Sequence, residues 1–211
     1  MKTSSTEKVR ELYENTADSY AAMMDTEINL SVYSDTLGRL AERIANVPGP
    51  VLDTSCGTGH MLSRYRERYD SERWLVGIDL SPRMVAIAGE NLESVAETRT
   101  GDMRDLHGIE DDSMAAVLSF FAIHHLDRED VQLAFREWCR VLAPGGQLVV
   151  AAWEGVGLID YGGETDVLAL RYTRDEITAC AEATGFAVDR CVVEPVEGMP
   201  MKGVYLEGTR P

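Results

Sequence analysis

The chain has 211 residues, of which 45% are hydrophobic and 27% are charged, and its formal net charge is −16 at pH 7. This length favours one domain that can bury a substantial core, and the apolar fraction excludes an intrinsically disordered chain. Nucleic acids and anionic membranes attract clustered Lys and Arg, so the acidic balance predicts neither as a partner and favours a small neutral or cationic substrate.

The hydrophobic pattern predicts helices and strands that alternate along most of the chain. In order, they are helices over 6–24 and 34–45, a strand over 51–53, a helix over 60–68, a strand over 74–79, a helix over 82–91, strands over 98–100 and 115–119, a helix over 128–142, a strand over 147–152, a helix over 173–185, and strands over 186–194 and 202–209. Between the helix over 128–142 and the strand over 147–152, Pro144-Gly145-Gly146 predicts a turn.

Local signals define several helix ends and, with the strand pattern, the fold class. Pro48-Gly49-Pro50 ends the second helix, Ser81 is an N-cap followed by Pro82, and Thr173 with Glu176 forms a capping box. Nearly continuous apolar strands that alternate with helices indicate a parallel sheet buried on both faces. The last two strands have a short connection and must be antiparallel. We predict an α/β fold: a doubly wound, mainly parallel seven-stranded sheet with helices on both faces and a C-terminal antiparallel hairpin.

Cysteine spacing and the N-terminal sequence bear on metal sites and on the compartment. The four cysteines, at positions 56, 139, 180 and 191, lie far apart without CxxC spacing, so we expect neither a zinc site nor a disulfide framework. The N-terminal stretch lacks the apolar core of a signal peptide, and the sequence has no run of about 18 apolar residues that could span a bilayer. We expect a cytoplasmic protein without a metal, as a monomer or a homodimer.

Polar residues follow the predicted strands where they end, which is where open α/β sheets bind ligands. Asp53 ends the first strand, and Asp79 ends the second strand 20 residues after Gly59, which is the offset of a carboxylate that accepts two ribose hydroxyls. The dinucleotide fingerprint G-x-G-x-x-G fails in this loop, and Asp53 would repel a pyrophosphate. S-adenosylmethionine fits better, because it has an ammonium, a sulfonium, a ribose diol and an adenine whose amino group Asp102 can meet.

Five segments resemble, in order, the successive motifs of class I (Rossmann-like) S-adenosylmethionine-dependent methyltransferases of the small-molecule type: VLDTSCGTG, LVGIDLSPRM, GDMRDL, VLSFFAIHHL and VLAPGGQLVV. They cover about residues 51–152, and the terminal hairpin extends the likeness to the end. Ser55 departs from the pattern, since the family usually has a glycine there. The resemblance implies a single domain over 1–211, with a helical lid over 1–50, a cofactor-binding core over 51–152, and an acceptor-pocket segment with the hairpin over 153–211.

The resemblance also implies roles for individual residues. Asp53 would orient the loop and the cofactor ammonium, Asp79 would take the ribose, and Asp102 with Met103 would hold the adenine edge. Tyr20 ends a YxxxAxxY-like segment, from which the family often places a tyrosine over the sulfonium. The implied cofactor-binding residues are Tyr20, Asp53, Ser55, Gly57, Gly59, Asp79, Leu80, Met84, Asp102, Met103, Ser119 and Phe120.

The implied reaction is in-line transfer of the cofactor methyl group to an oxygen, nitrogen or sulfur atom of a small acceptor, with S-adenosylhomocysteine as the product. Histidine takes up a proton near neutral pH. His124 and His125 follow the fourth strand at the ligand edge, so we expect a catalytic base there, His124 before His125; the alternative is that both simply begin the next helix. The expected acceptor-binding residues are Tyr13, Tyr33, Trp153, Tyr161 and Arg171.

Other functions share parts of this pattern. A related enzyme would use the same cofactor site for other chemistry, and a non-catalytic subunit would bind S-adenosylmethionine and activate or stabilise a partner. Ser55 and the short segment available for an acceptor keep the subunit open as an alternative. A Rossmann dehydrogenase is the third alternative function, and titration with S-adenosylhomocysteine against NAD separates it from the others.

Overall fold

The computed structural model describes residues 2–159, 161, 163 and 165–211. Within these residues the helices are α1 (Thr6–Glu27), α2 (Ser31–Ile44), α3 (His60–Arg68), α4 (Pro82–Leu92), α5 (Arg128–Val141) and α6 (Arg174–Ala183). The strands are β1 (Val51–Asp53), β2 (Leu75–Asp79), β3 (Ala96–Thr100), β4 (Met114–Phe120), β5 (Leu142–Trp153), β6 (Ala187–Pro195) and β7 (Lys202–Thr209). In the part of the chain that the structure describes, no helix combines the length and apolarity that crossing a membrane requires.

The seven strands of the described residues form one sheet in the order β3-β2-β1-β4-β5-β7-β6. Strands β1 to β5 pair in parallel, and β7 lies antiparallel between β5 and β6. The predicted sheet and its C-terminal hairpin are confirmed. The chain winds outward from β1 to β3 and then returns to place β4 beside β1, so the carboxyl ends of β1 and β4 form the switch point at which such sheets bind ligands.

Alternate residues of the central strands face two separate helical layers. Leu52, Val117 and Leu148 pack with α5 and α6 on one face, whereas Val51 and Leu118 pack with α2, α3 and α4 on the other. Successive side chains of a strand point to opposite faces. Because helices cover both faces, both sets are apolar, which confirms the predicted double layer and explains the continuous apolar runs.

Several boundaries differ from the sequence prediction: α2, for example, begins at Ser31, three residues early, and two of the differences lie in the sheet. Strand β3 begins at Ala96, two residues early, because backbone pairing with β2 holds this edge strand although much of it is exposed. The turn predicted at Pro144–Gly146 lies inside β5 as a bulge, where the pairing with β4 shifts register between Met114 and Ala116. Gly145 has φ +80° there, a conformation that glycine adopts without steric cost.

Helix α1 packs on α4 and covers the carboxyl ends of the strands. It runs to Glu27, three residues beyond the predicted end. Ala17 packs in a small apolar cluster with Met84 of α4. The carboxylate of Glu14 accepts hydrogen bonds from Ser81 Oγ (2.7 Å) and from the N–H of Arg83 (3.1 Å), at the start of α4. These contacts hold α1 over the switch point.

Candidate active site

The loop between β1 and α3 forms the floor of the site. Gly57 has φ +50°, and a Cβ added there would lie 3.1 Å from Cε1 of Tyr20. Glycine is therefore required both for the backbone conformation and for the close approach of the ring. Ser55 has no positive φ, and its N–H donates to Asp53 Oδ1 at 3.1 Å. The backbone at position 55 thus accommodates a side chain where a glycine is expected.

Two carboxylates stand at the ends of β1 and β2. Asp53 is 2% exposed; burial raises its pKa to about 7 against the lowering effect of the Ser55 N–H, and Asp79 adds a smaller increase. Asp79 accepts hydrogen bonds from the N–H groups of Gly57 (2.9 Å) and Ser81 (3.0 Å), and burial raises its pKa above the usual value. Carboxylates buried beside one another favour a ligand that brings positive charge and hydroxyl donors.

Asp102, after β3, is held by an arginine. Arg104 donates to Oδ1 of Asp102 through Nε (3.0 Å) and to Oδ2 through Nη2 (2.5 Å). The same guanidinium also reaches Asp130 and Thr6. Burial raises the pKa of Asp102, but the hydrogen bonds and charge of Arg104 lower it more, so the pKa lies below its usual value. The carboxylate is thus ionised and fixed in orientation.

A cleft, the first cavity of the site, opens beside these strand ends, and its empty space of about 640 Å³ includes a part open to solvent. Helix α1 supplies one wall, and the ends of β2, β3 and β4 supply the others. The lining residues are Val9, Tyr13, Tyr20, Thr54, Ser55, Gly57, Asp79, Leu80, Met84, Asp102, Met103, Phe120, Phe121, Ala122, His125 and Leu126.

A second cavity of about 390 Å³ adjoins the first around the β1 loop. Four residues line both and stand at their junction: Tyr20, Ser55, Phe120 and Phe121. The other lining residues of the second cavity are Met24, Tyr33, Asp53, Cys56, Thr58, His60 and Met61. Among the residues that the structure describes, no lysine or arginine lines either cavity, and no group of three or more His, Cys, Asp or Glu is placed to hold a metal ion.

Phe121, at the junction of the cavities, has φ +47°. A bulky residue in the left-handed region costs roughly 1–3 kcal/mol and persists where the surrounding structure holds it, often at functional sites. Its ring packs on Trp153 with centroids 4.5 Å apart and meets Tyr205 edge-on at 6.0 Å. The sequence pattern did not point to Phe121, because a phenylalanine after a buried strand is equally typical of an ordinary core position.

The two adjacent histidines have different surroundings. His125 lines the first cavity, and His124 does not. Tyr13 Oη lies 2.8 Å from Nε2 of His125, and the Nδ1 atoms of both histidines are buried without a partner among the described residues. Burial lowers the pKa of His125 to about 4. Burial, with a contribution from His125, also lowers the pKa of His124 strongly.

Both imidazoles are therefore neutral at pH 7 and weak proton acceptors there. The order expected from the sequence, with His124 first, is reversed by the geometry, since His124 is packed away from the cavity and His125 faces it. A base role stays a prediction, and it applies to His125.

Most residues expected to hold the cofactor meet at the two cavities. Those that line the first are Tyr20, Ser55, Gly57, Asp79, Leu80, Met84, Asp102, Met103 and Phe120. Asp53 lines the second cavity. Gly59 lines neither cavity and is the N-cap of α3, with φ +85°. Ser119 is also outside both, buried with its Oγ 3.5 Å from that of Ser55.

Of the residues expected to bind the acceptor, some line a cavity and others do not. Tyr13 lines the first cavity and Tyr33 lines the second, whereas Trp153, Tyr161 and Arg171 line neither. The segment after β5 pairs with itself through isolated bridges between Glu154 and Tyr172 and between Leu158 and Leu170. The lining residues that the sequence did not suggest are Val9, Thr54, Cys56, Thr58, His60, Met61, Phe121, Ala122 and Leu126, and their only signal is closeness along the chain to predicted positions.

Known proteins resemble this chain in sequence and in fold. A family model described as a methyltransferase domain matches residues 51–146. The dTDP-4-amino-2,3,4,6-tetradeoxy-D-glucose N,N-dimethyltransferase of Saccharopolyspora spinosa is 29% identical over an alignment that covers 75% of this chain and 73% of that protein. The probable tRNA methyltransferase 9B of Mus musculus is 30% identical over 69% of this chain, which spans 29% of that protein.

Among solved structures, the fold is similar to that of a SAM-bound amino pentose methyltransferase from Micromonospora echinaspora. The TM-score is 0.65 at 23% identity, and the match covers 85% of this chain and 92% of that one. At this level of identity the likeness establishes the fold, and the site residues rest on the geometry described above.

Proposed function

We propose that this chain, whose residues 51–146 match a methyltransferase domain, is a class I S-adenosylmethionine-dependent methyltransferase and that it methylates an oxygen, nitrogen or sulfur atom of a small molecule. The observation that carries the proposal is the pair of adjoining cavities, of about 640 and 390 Å³, beneath α1. A transfer between two bound molecules needs two compartments that meet. Three of the four residues at the junction are aromatic, which suits a small acceptor.

The lining of the first cavity fits the cofactor in chemistry and in shape. Asp79 would offer carboxylate oxygens to ribose hydroxyls, and Asp102 with Met103 would meet the adenine edge; all three line this cavity. Gly57 leaves the space that a Cβ would fill against Tyr20. When bound, S-adenosylmethionine supplies an electrophilic methyl group on its sulfonium. Asp53 offers negative charge to the ammonium from the other side of the loop.

The remaining parts of the chain close and complete the site. We propose that residues 1–50 act as a lid over the 51–152 core, and that 153–211 supports the acceptor wall. Tyr13 holds α1 to the core through its 2.8 Å contact with His125. A lid pinned in this way excludes water and limits the orientations that a bound acceptor can take.

A nucleic-acid acceptor is an alternative, since the mouse relative is named as a tRNA methyltransferase. The net charge of −16 disfavours it, because binding to a phosphate backbone depends on clustered Lys and Arg. A non-catalytic subunit that binds the cofactor is the other alternative, and product formation separates it from an enzyme.

Calorimetry with S-adenosylhomocysteine tests the cofactor site, and Asp79→Asn is the informative variant. Asparagine has one oxygen where Asp79 has two, and its amide nitrogen cannot accept a hydrogen bond. The variant therefore loses either the bond from Gly57 or the bond from Ser81, and it offers no negative charge to the ribose. We expect the affinity to fall at least about tenfold, as for one lost charge-assisted hydrogen bond. Asp105→Asn, which changes an exposed carboxylate, is the matched control and should bind as the wild type does.

The outcomes separate the alternatives. If the wild type does not bind S-adenosylhomocysteine, the proposal fails. If it binds and forms product with small amines, phenols or thiols, the proposal is supported. Product formed on tRNA alone would move the acceptor to nucleic acid, and binding without product from any acceptor would support the non-catalytic subunit.

A further inference from the structure

Arg104 holds the carboxylate of Asp102 from outside the first cavity, since Asp102 lines that cavity and Arg104 does not. The guanidinium Nε donates to both carboxylate oxygens, at 3.0 Å to Oδ1 and 3.1 Å to Oδ2, and Nη2 donates to Oδ2 at 2.5 Å. The backbone N–H of Arg104 also donates to Oδ1, at 2.9 Å. A guanidinium fork of this kind fixes both the position and the rotation of a carboxylate.

The guanidinium is itself fixed by two helices. Its Nη1 donates to Oδ2 of Asp130, on α5, at 2.7 Å. Its Nη2 donates to Oγ1 of Thr6, the first residue of α1, at 2.7 Å. All three guanidinium nitrogens therefore donate to an acceptor, and Arg104 cannot turn without losing a bond to α1, to α5 or to Asp102. The orientation of Asp102 is thus set by elements that lie outside its own loop.

This pairing distinguishes Asp102 from the other two carboxylates of the site. Asp53 and Asp79 accept hydrogen bonds from backbone N–H groups, and among the described residues no lysine or arginine lowers the pKa of either. Asp102 instead shares its charge with Arg104. A carboxylate that already has a cationic partner suits a neutral hydrogen-bond donor, whereas an unpaired one favours a ligand with positive charge.

Asp102 still has room for one such donor. A carboxylate accepts about four hydrogen bonds, and the N–H groups of Arg104 that reach Asp102 are the backbone one, that of Nε and one of Nη2. The remaining lone pair belongs to a residue of the cavity wall. An N–H group of a ligand can use it, whereas a carbonyl oxygen at the same place would be repelled by the carboxylate.

We propose that Arg104 is a positioning residue that makes the site select adenine over a purine with a carbonyl oxygen in place of the exocyclic amino group. It holds Asp102 so that the free lone pair meets that amino group. The inference rests on the proposed function, and it assigns cofactor specificity to a residue outside the cavity. Arg104 itself touches neither the cofactor nor the acceptor.

The test compares two ligands that differ at one group of the purine. S-adenosylhomocysteine carries the amino group, and S-inosylhomocysteine, its deaminated counterpart, carries a carbonyl oxygen there. Calorimetry on the full chain gives both dissociation constants for the wild type, Arg104→Gln, Arg104→Lys and Arg43→Gln. Arg43 is the matched control, because it also donates to a carboxylate, that of Asp189, and lines neither cavity.

We expect the wild type to bind S-adenosylhomocysteine at least about tenfold more tightly than S-inosylhomocysteine, as for one hydrogen bond to a charged acceptor. Arg104→Gln should lower this ratio below about threefold, because the carboxylate is no longer held. Arg104→Lys keeps the charge and with it the fold, but an ammonium lacks the fork that fixes both oxygens, so the ratio should again fall below about threefold. Arg43→Gln should keep the wild-type ratio.

The ratio separates positioning from a general structural role, since a loosened site loses affinity for both ligands alike. Equal binding of the two ligands by the wild type, or a wild-type ratio in either Arg104 variant, would overturn the inference. A ratio that also falls in Arg43→Gln would overturn it, because the effect would then follow the loss of any paired arginine. Failure of the wild type to bind S-adenosylhomocysteine would instead overturn the proposed function.

Discussion

Replacing Asp53 with asparagine removes a buried negative charge that lowers the free energy of unfolding. The carboxyl group is 2% exposed, and burial raises its pKa to about 7, against about 3.9 in an unfolded chain. A pKa difference of one unit corresponds to about 1.4 kcal/mol. Burial of Asp53 therefore lowers the stability by about 4 kcal/mol at pH 8, and by about 1 to 2 kcal/mol at pH 5, where only the unfolded chain ionises the group. Asparagine has nearly the same shape, and its Oδ1 can still accept the N–H of Ser55.

The direction of the pH dependence follows from which state holds the proton. The folded chain keeps the proton on Asp53 up to about pH 7, whereas the unfolded chain releases it near pH 3.9. The wild type therefore loses this part of its stability as the pH rises from about 4 to about 7. The asparagine variant has no such dependence, so the difference between the two proteins grows over that range.

Urea unfolding of the cofactor-free proteins measures this difference. We expect Asp53→Asn to exceed the wild-type free energy of unfolding by about 4 kcal/mol at pH 8 and by about 1 to 2 kcal/mol at pH 5. Asp35→Asn removes an exposed carboxylate on α2 and should change the free energy by less than about 0.5 kcal/mol. Equal stability of the wild type and Asp53→Asn at pH 8, or a gain that is no smaller at pH 5, would refute the argument.

The same substitution should have the opposite effect on ligand binding. Asparagine offers no charge to a ligand ammonium, so calorimetry should find weaker binding of S-adenosylhomocysteine. Wild-type affinity should fall as the pH drops below about 7, because protonation of Asp53 competes with the ligand. Lower stability of the free protein together with stronger ligand binding would indicate that Asp53 serves binding and not folding.

Two further substitutions test the lid and the floor of the site. Tyr13→Phe removes the 2.8 Å contact with Nε2 of His125 and leaves a buried nitrogen unpaired, so urea unfolding should show a loss of about 1–3 kcal/mol; unchanged stability would mean that the lid is not held by this bond. Gly57→Ala places a Cβ 3.1 Å from the Tyr20 ring and should weaken S-adenosylhomocysteine binding in calorimetry. Gly157→Ala shares a positive φ (+90°) but meets no atom within 4 Å, so it should cost about 1 kcal/mol of stability and no affinity; equal losses of affinity in the two variants would contradict the steric explanation.

Local signals made much of the fold predictable. Ser81 with Pro82 begins α4 as expected, and the capping box of Thr173 and Glu176 begins α6, because each signal acts within one turn of helix. The bulge at Gly145 could not be predicted in the same way. It depends on the register between β4 and β5, which is a property of two strands and not of either segment alone.

The candidate site also contains residues that local sequence signals predict and residues that depend on tertiary packing. Residues that end a strand, such as Asp53, Asp79 and Asp102, could be brought together from the sequence, because the carboxyl ends of neighbouring parallel strands meet at one edge. The choice between His124 and His125 could not, since it depends on the direction of two adjacent side chains after a turn. Phe121 was unpredictable for a related reason, because its φ of +47° is imposed by the packing around it.

The sequence by itself therefore determined the order of elements, the parallel sheet and the carboxylates that gather at its carboxyl edge, since these follow from periodicity, caps and strand ends. Only the tertiary structure decided that Tyr13 meets His125 and that a second cavity adjoins the first. These features join residues far apart along the chain. Burial, which perturbs the charges of the site, is likewise a property of the packed molecule and cannot be read from any one segment.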